Sequence, residues 1–297
     1  MSVPAARPSV HPLQPVLILL GSSMLWGLTW LPLKYFASFG LAGITVTLVA
    51  HGSVGVLACA WLLRHAKRAK RSAGGLLLLA CAGGLANLAF ASAIVSGNVV
   101  RVMVLFYLLP VWGVLGGWLV LGERVDAFRK VAVMAALGGA FLILGGPGIV
   151  STPPSLTDVL AVLSGLALGL NNVWFRKLNH VPDMDKVSAM FAGCLLWAVP
   201  PTLLGFQPLP EGVPPLVWLE LAGFGLIWLL LATVGTQYGV GHMEAGRSSV
   251  LIIVELLTAV ASAALLNGSR LSSAEWIGGS MIVAAALTEA LRPAPSS

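Results

Sequence analysis

Charge is what this sequence has least of. Only 9% of its 297 residues are Asp, Glu, Lys or Arg, and 58% are hydrophobic, whereas a soluble domain carries roughly 25% charged residues. So few charges cannot cover a water-soluble chain of this length, and a mean hydropathy of +0.92 requires apolar surface to face lipid. Cysteine is also sparse. Cys59, Cys81 and Cys194 stand far apart inside apolar runs, without C-x-x-C or metal-ligand spacing. They read as small packing residues, and no metal or cofactor is expected. The sequence lacks HExxH, a Walker A motif and GxSxG; His51-Gly52-Ser53-Val54-Gly55 is missing the first glycine. The expectation is therefore neither an enzyme nor a self-contained ATPase. Nothing resembles a repeated selectivity filter or a pore helix lined by one sign of charge, which argues against a channel. The first fifteen residues hold Pro4, Pro8, Pro12, Pro15 and Arg7, with no short apolar core before a small-residue cleavage site, so no cleavable signal peptide is expected.

Long apolar runs are abundant. A membrane helix needs roughly 20 mostly apolar residues. Ten segments suit, at about 16–38, 42–63, 74–96, 99–121, 129–146, 158–178, 186–205, 215–236, 246–266 and 274–291. Turn chemistry separates them at Pro147-Gly148, Pro153-Pro154, Pro208 to Pro215 and Asn267-Gly268-Ser269. Cytoplasmic loops accumulate Lys and Arg. With the amino terminus inside, all 17 basic residues except Lys34, Arg101 and Arg270 fall on the cytoplasmic side, including Arg7, Arg124, Arg129, Arg176, Arg247 and Arg292. The Arg64–Arg71 cluster obeys the same rule, so it reads as a topology determinant, and no nucleic-acid partner is expected. Both termini are expected in the cytoplasm, with His242, Glu244 and Arg247 solvated at a cytoplasmic turn.

The chain also repeats itself. Leu108–Val125 aligns without a gap on Val254–Leu271. Val114 meets Val260, Leu119 meets Leu265, Gly122 meets Gly268 and Arg124 meets Arg270. Gly21 and Trp30 likewise match Gly165 and Trp174. The common shift of about 145 residues is close to half the chain. It equals five spans, an odd number, so the second half must enter the membrane upside down. Inverted repeats place a substrate site near the midplane between the halves. The fold class expected is all-α integral membrane, ten transmembrane helices in two inverted five-helix repeats. A carrier profits from that symmetry, because exchanging the conformations of the halves alternates access; a structural subunit gains nothing evident.

Leu25-Trp26-Gly27 in the first span, Leu109-Pro110-Val111 in the fourth and the closing Leu121-Gly122-Glu123-Arg124 carry a resemblance. The chain resembles the drug/metabolite transporter (DMT) superfamily, EamA-type, over essentially its whole length, and within it the YddG-type aromatic amino-acid exporters. The second half departs from the pattern: Leu256 stands in place of Pro110 and Ser269 in place of Glu123. The resemblance implies a cytoplasmic tail at 1–15, a first EamA-like repeat at 16–147, a connecting loop at 148–157, a second repeat at 158–291 and a tail at 292–297. It also implies a multi-pass protein of the bacterial inner membrane that exports amino acids.

Polar groups in hydrocarbon are costly, so each is a functional candidate. Glu255 lies about nine residues, or roughly 13 Å, into the ninth span. A charge there costs about 2.5–3.5 kcal/mol on insertion scales. Asn87 and the pair Asn171-Asn172 offer amide donors and acceptors that suit a zwitterionic ligand, although interhelical hydrogen bonding is the commoner use for any one of them. Adjacent positions differ by about 100° on a helix, so at most one of Asn171 and Asn172 lines a cavity directly. His51 reads as a hydrogen-bonded structural histidine. Pro110 removes an amide hydrogen and frees the Phe106 carbonyl, a candidate helix break or gate. Trp26, Trp30 and Tyr107 lie deep in their spans, whereas Trp61, Trp112, Trp118 and Trp197 read as packing or interfacial belt. The expected substrate site is thus Trp26, Trp30, Asn87, Tyr107, Asn171 and Glu255. No Lys or Arg reaches the midplane, so the expected substrate is a neutral or aromatic amino acid, with small lipophilic cations as the alternative. Its partners are that solute and the lipid bilayer, with a monomer the simplest state. Single cysteines at Ser72 and Ser155 are expected to react with an impermeant reagent from opposite sides; labelling from one side would refute the span count.

Overall fold

The computed structural model describes residues 13–41, 43–96, 99–149, 153–206, 209–267 and 270–291. Arg7, Arg292, Ser269 and most of both expected tails lie outside the described residues. Every regular element among the described residues is helical. The long helices are α1 (Gln14–Ala37), α2 (Ile44–Arg64), α3 (Ala73–Ser96), α4 in two pieces (Val99–Phe106 and Leu109–Leu121) and α5 (Ala127–Ile143). They continue with α6 (Leu156–Lys177), α7 (Asp183–Leu203), α8 (Pro215–His242), α9 in two pieces (Ala245–Ile252 and Val254–Asn267) and α10 (Ser273–Ala290). The basic cluster forms its own short helix, Ala66–Arg71, between α2 and α3.

Eight of these helices are long and apolar enough to cross a membrane. The two expected spans that fall short are α5 and α10. α5 has only 17 residues and carries Arg129 and Lys130 in its first turn; α10 has 18 and carries Glu275 and Glu289. They pack on each other along their length, with Gly139 and Gly278 in reciprocal contact: a Cβ at either would lie 2.5 Å from the other's carbonyl oxygen.

Local chemistry sets several boundaries. Asp126 caps α5 by accepting from the Arg129 amide, and Ser272 caps α10 in a capping box with Glu275. Gly122 ends α4 at φ 69°, a left-handed conformation suited to glycine. Helix α1 is interrupted at Thr29, whose hydroxyl bonds back to the Leu25 carbonyl at 3.0 Å, a bond that bends helices. Helices α2 and α8 each contain a π turn, Thr47–His51 and Phe224–Leu229. The two turns meet where Gly225 seats against the Ala50 carbonyl.

The two halves keep register. α4 starts at Val99 and α9 at Ala245; α4 ends at Leu121 and α9 at Asn267; α5 starts at Ala127 and α10 at Ser273. Each offset is 146 residues. The packing follows suit. α1 lies on α8 and α9 as α6 lies on α3 and α4, and α2–α7, α4–α9 and α5–α10 pair directly. Exchanging every helix for its counterpart five places on reproduces the set. Buried cores lie between α2, α3, α6 and α7, around Leu79, Phe175 and Phe191, and between α4, α5, α9 and α10, around Tyr107, Ala136 and Ile253.

Small residues permit these approaches. At Gly193 in α7 a Cβ would collide with the Ala80 carbonyl of α3, whereas at Gly74 it would meet nothing within 4 Å. Gly193→Leu is expected to lower stability by about 1–3 kcal/mol or more, and Gly74→Leu to stay within about 0.5 kcal/mol, as read by thermal unfolding in detergent.

Candidate functional site

Helices α4 and α9 are broken at matching positions. In α4 the break falls at Tyr107 and Leu108, where Pro110 supplies no amide hydrogen to the Phe106 carbonyl. That oxygen lies against α6: a Cβ at Gly165 would be 2.6 Å from it. Pro110 itself sits in the first turn of the second piece, where proline is tolerated. In α9 the break falls at Ile253 without a proline, and tight bonds bracket it, Ile253 N to Val250 O at 3.3 Å and Leu256 N to Ile253 O at 2.9 Å.

The breaks bring two of the expected residues together. The Tyr107 side chain and the Glu255 carboxyl stand within interaction range of one another, bringing α4 to α9. Tyr107 is almost wholly buried. Helix α1 closes the other flank. Gly27 seats against the Glu255 carbonyl oxygen and Thr258, and the Trp30 indole donates to Ser262 Oγ at 3.0 Å. Trp26 turns instead toward α8, packing on the cluster of Phe36, Leu221 and Phe224. Nearby, the Trp228 indole donates to the Leu25 carbonyl and to Thr29 Oγ1.

The amides lie elsewhere. Asn87 donates to the Gly83 carbonyl at 2.9 Å and faces His51 and Cys194 between α2, α3 and α7. Neither ring nitrogen of His51, expected to be hydrogen-bonded, completes a geometrically sound bond. Asn171 and Asn172 are both buried. Asn171 Nδ2 donates to Asn172 Oδ1 at 3.3 Å and to the Met190 sulfur at 3.6 Å, and Gln237 Nε2 donates to Asn172 Oδ1 at 3.1 Å. The sequence reading passed over Gln237, although an amide deep in an apolar span is as costly as those it singled out.

A third constellation ties the halves at the end where α4, α6 and α8 finish. Glu123 pairs with Arg176 at 2.9 Å and accepts the Ala245 amide at the start of α9 with both oxygens, each at 3.0 Å. Arg176 also donates to the Met243 carbonyl. The buried Arg129 guanidinium meets Glu244 at 2.5 Å and Glu289 at 3.5 Å. Arg247 donates to the Ala290 carbonyl at 2.7 Å. Glu244 and Arg247 are therefore engaged rather than solvated; His242 is exposed and stacks on Tyr238. Arg68 grips Asp185 with two bonds of 2.7 Å. A recess of about 640 Å³ opens at this end, lined by Val114, Trp118, Glu123 and Lys130, away from Tyr107 and Glu255. At the opposite end Arg101 pairs with Asp158 at 2.8 Å and Tyr35 donates to Glu220 at 2.7 Å.

Eight apolar crossing-length helices, buried polar groups at broken helices and a twofold internal register define a multi-pass membrane protein of the transporter class. The sequence matches the EamA-like transporter family twice, over residues 13–145 and 155–288, and the chain belongs to that family. It is 26% identical over 215 residues to an uncharacterized transporter of Archaeoglobus fulgidus, covering 71% of this chain and 74% of that one. A protein of known crystal structure shares the fold with a TM-score of 0.69 at 19% identity, over 93% of this chain and 96% of the other.

Removing one member of a buried ion pair strands the other. Arg129→Met is expected to cost about 3–5 kcal/mol, and Arg129→Met with Glu289→Leu to recover part of the loss in detergent unfolding. Equal stability of the single variant and wild type would show that the cluster is not sequestered from water.

Proposed function

We propose that the protein exports amino acids, aromatic and other neutral ones, across a bacterial inner membrane by alternating access. In this reading α5 and α10 also cross the bilayer, completing ten spans in two inverted five-helix halves with both termini cytoplasmic. The observation that carries the proposal is the contact of Tyr107 with Glu255 at the paired breaks of α4 and α9. Broken helices free backbone groups and polar side chains at membrane depth, where a carrier binds its solute. Trp30 on α1 supplies an aromatic face on which a substrate ring stacks; Trp26, turned toward α8, and the amides Asn87 and Asn171 would join the site only as the helices move in the transport cycle. Pro110 sets the bend that lets α4 gate. Lys34 Nζ lies 6.0 Å from the Trp30 ring centroid, but among the described residues no Lys or Arg pairs with Glu255, which disfavours phosphorylated substrates. A second reading, efflux of lipophilic cations, draws on the same carboxyl group and aromatic faces.

Two experiments test the proposal. Proteoliposomes loaded with labelled tryptophan or phenylalanine are expected to exchange them against external amino acid. Exchange of a quaternary ammonium dye with neither amino acid would replace export by drug efflux. Glu255→Gln is expected to slow transport and flatten its pH dependence; a wild-type rate and pH profile would make Glu255 structural.

A further inference from the structure

The recess of about 640 Å³ at the Glu123 end has no part in the transport reading. Its floor comes from α4, through Val114, Leu115 and Trp118. Helix α4 is of membrane-crossing length and ends at Leu121. The floor therefore lies at membrane depth, and Trp118, one turn from the helix end, reaches headgroup level. Trp118 is 57% exposed and Leu115 41%, so both rings and methyls are open to an acyl chain. The rim carries two cations, Arg124 on the connection after α4 and Lys130 in the first turns of α5. Both are exposed, and among the described residues neither enters an ion pair. The nearby acids are engaged elsewhere. Glu123 holds Arg176 and the Ala245 amide, and Asp126 caps the Arg129 amide.

We infer that this recess holds an anionic phospholipid, with its phosphate between Arg124 and Lys130 and an acyl chain along Leu115 and Trp118. Basic pockets beside membrane helices recognise such headgroups, and both side chains donate charge-assisted hydrogen bonds to phosphate oxygens. A soluble anion would satisfy the cations and leave the apolar floor uncovered; a lipid meets both. The cations also stand on a fixed frame. Their neighbours in sequence, Glu123 and Arg129, are anchored at the start of α9, at the Ala245 amide and at Glu244. A phosphate bridging Arg124 and Lys130 thus braces the α4–α5 connection on one side while α9 holds it on the other. The site is separate from Tyr107 and Glu255 and stands whichever solute is carried.

The test is native mass spectrometry of the full chain in detergent, titrated with dioleoylphosphatidylglycerol or with dioleoylphosphatidylcholine, whose headgroup is neutral overall. The wild type is expected to bind one phosphatidylglycerol at least about tenfold more tightly than phosphatidylcholine. Glycerol 1-phosphate, the headgroup without chains, should not displace it at equal concentration. Arg124→Gln with Lys130→Gln should reduce the preference to below about twofold. Arg124→Lys with Lys130→Arg keeps both charges and should keep the preference, which separates lost recognition from lost fold. Lys67→Gln with Lys70→Gln removes the same charge from the short basic helix and should leave the preference within about twofold of wild type. A wild type without preference, a preference that survives Arg124→Gln with Lys130→Gln, or one lost in the charge-keeping exchange overturns the inference. An equal loss in the Lys67 and Lys70 variant assigns the attraction to overall charge and overturns it too. Displacement by glycerol 1-phosphate at equal concentration assigns the cations to a soluble anion, with the same consequence.

Discussion

A carboxyl group deep in an apolar helix sets the terms for the rest of this structure. Glu255 must have a partner or water, and the chain sets Tyr107 from the other half beside it. For the two to meet, α4 and α9 must approach closely, and both must depart from regular helix where they do so. Each break frees backbone groups that need neighbours in turn. Gly165 on α6 lies over the Phe106 carbonyl, which Pro110 leaves without its helical donor, and Gly27 on α1 packs on the first turn beyond the α9 break, at the Glu255 carbonyl and Thr258. The placement of α1 and α6 at equivalent positions about the α4–α9 pair follows from this constraint.

The two ends of the molecule are fastened differently. At the Glu123 end, the first turn of α9 is held from the opposite half twice, by Glu123 at the Ala245 amide and by Arg129 at Glu244. That turn leads directly into the break at Ile253 and on to Glu255. Loosening the clamp therefore repositions the strand of chain that carries the carboxyl group. At the other end the position equivalent to Arg129 is Glu275, and Ile143 answers Glu289, so the cluster has no counterpart. A repeat that supplies symmetric helices has been furnished with asymmetric closures.

Much of this was legible in the sequence, for identifiable reasons. The shift between Leu108–Val125 and Val254–Leu271 reappears as the 146-residue offset of helix boundaries, because cap residues and glycines at helix ends act locally. Glu255 stands out through the cost of polar groups in lipid, and Tyr107 as an aromatic ring deep in its span. The break at Ile253 was not, since no proline marks it and tertiary contacts impose it. The π turns of α2 and α8 leave no local signature either. Arg129 read as a topology signal because its partners are 115 and 160 residues away, and distant pairing is invisible to composition. The six expected site residues divide, with Tyr107, Glu255 and Trp30 on the α4, α9 and α1 side, Trp26 turned toward α8, and Asn87 and Asn171 in separate amide clusters. Depth in a span is readable from sequence; the direction a side chain takes around its helix is far less so.

The central claim is that the halves exchange conformations about the Tyr107–Glu255 contact, and distance measurements at both ends address it most directly. In a cysteine-free background, one spin-label pair at Arg124 and Lys177 reports the Glu123 end, and a second at Tyr35 and Leu216 reports the opposite end. Saturating substrate is predicted to lengthen one distance distribution while shortening the other. Distances that stay fixed, or that change in the same sense at both ends, would contradict the account.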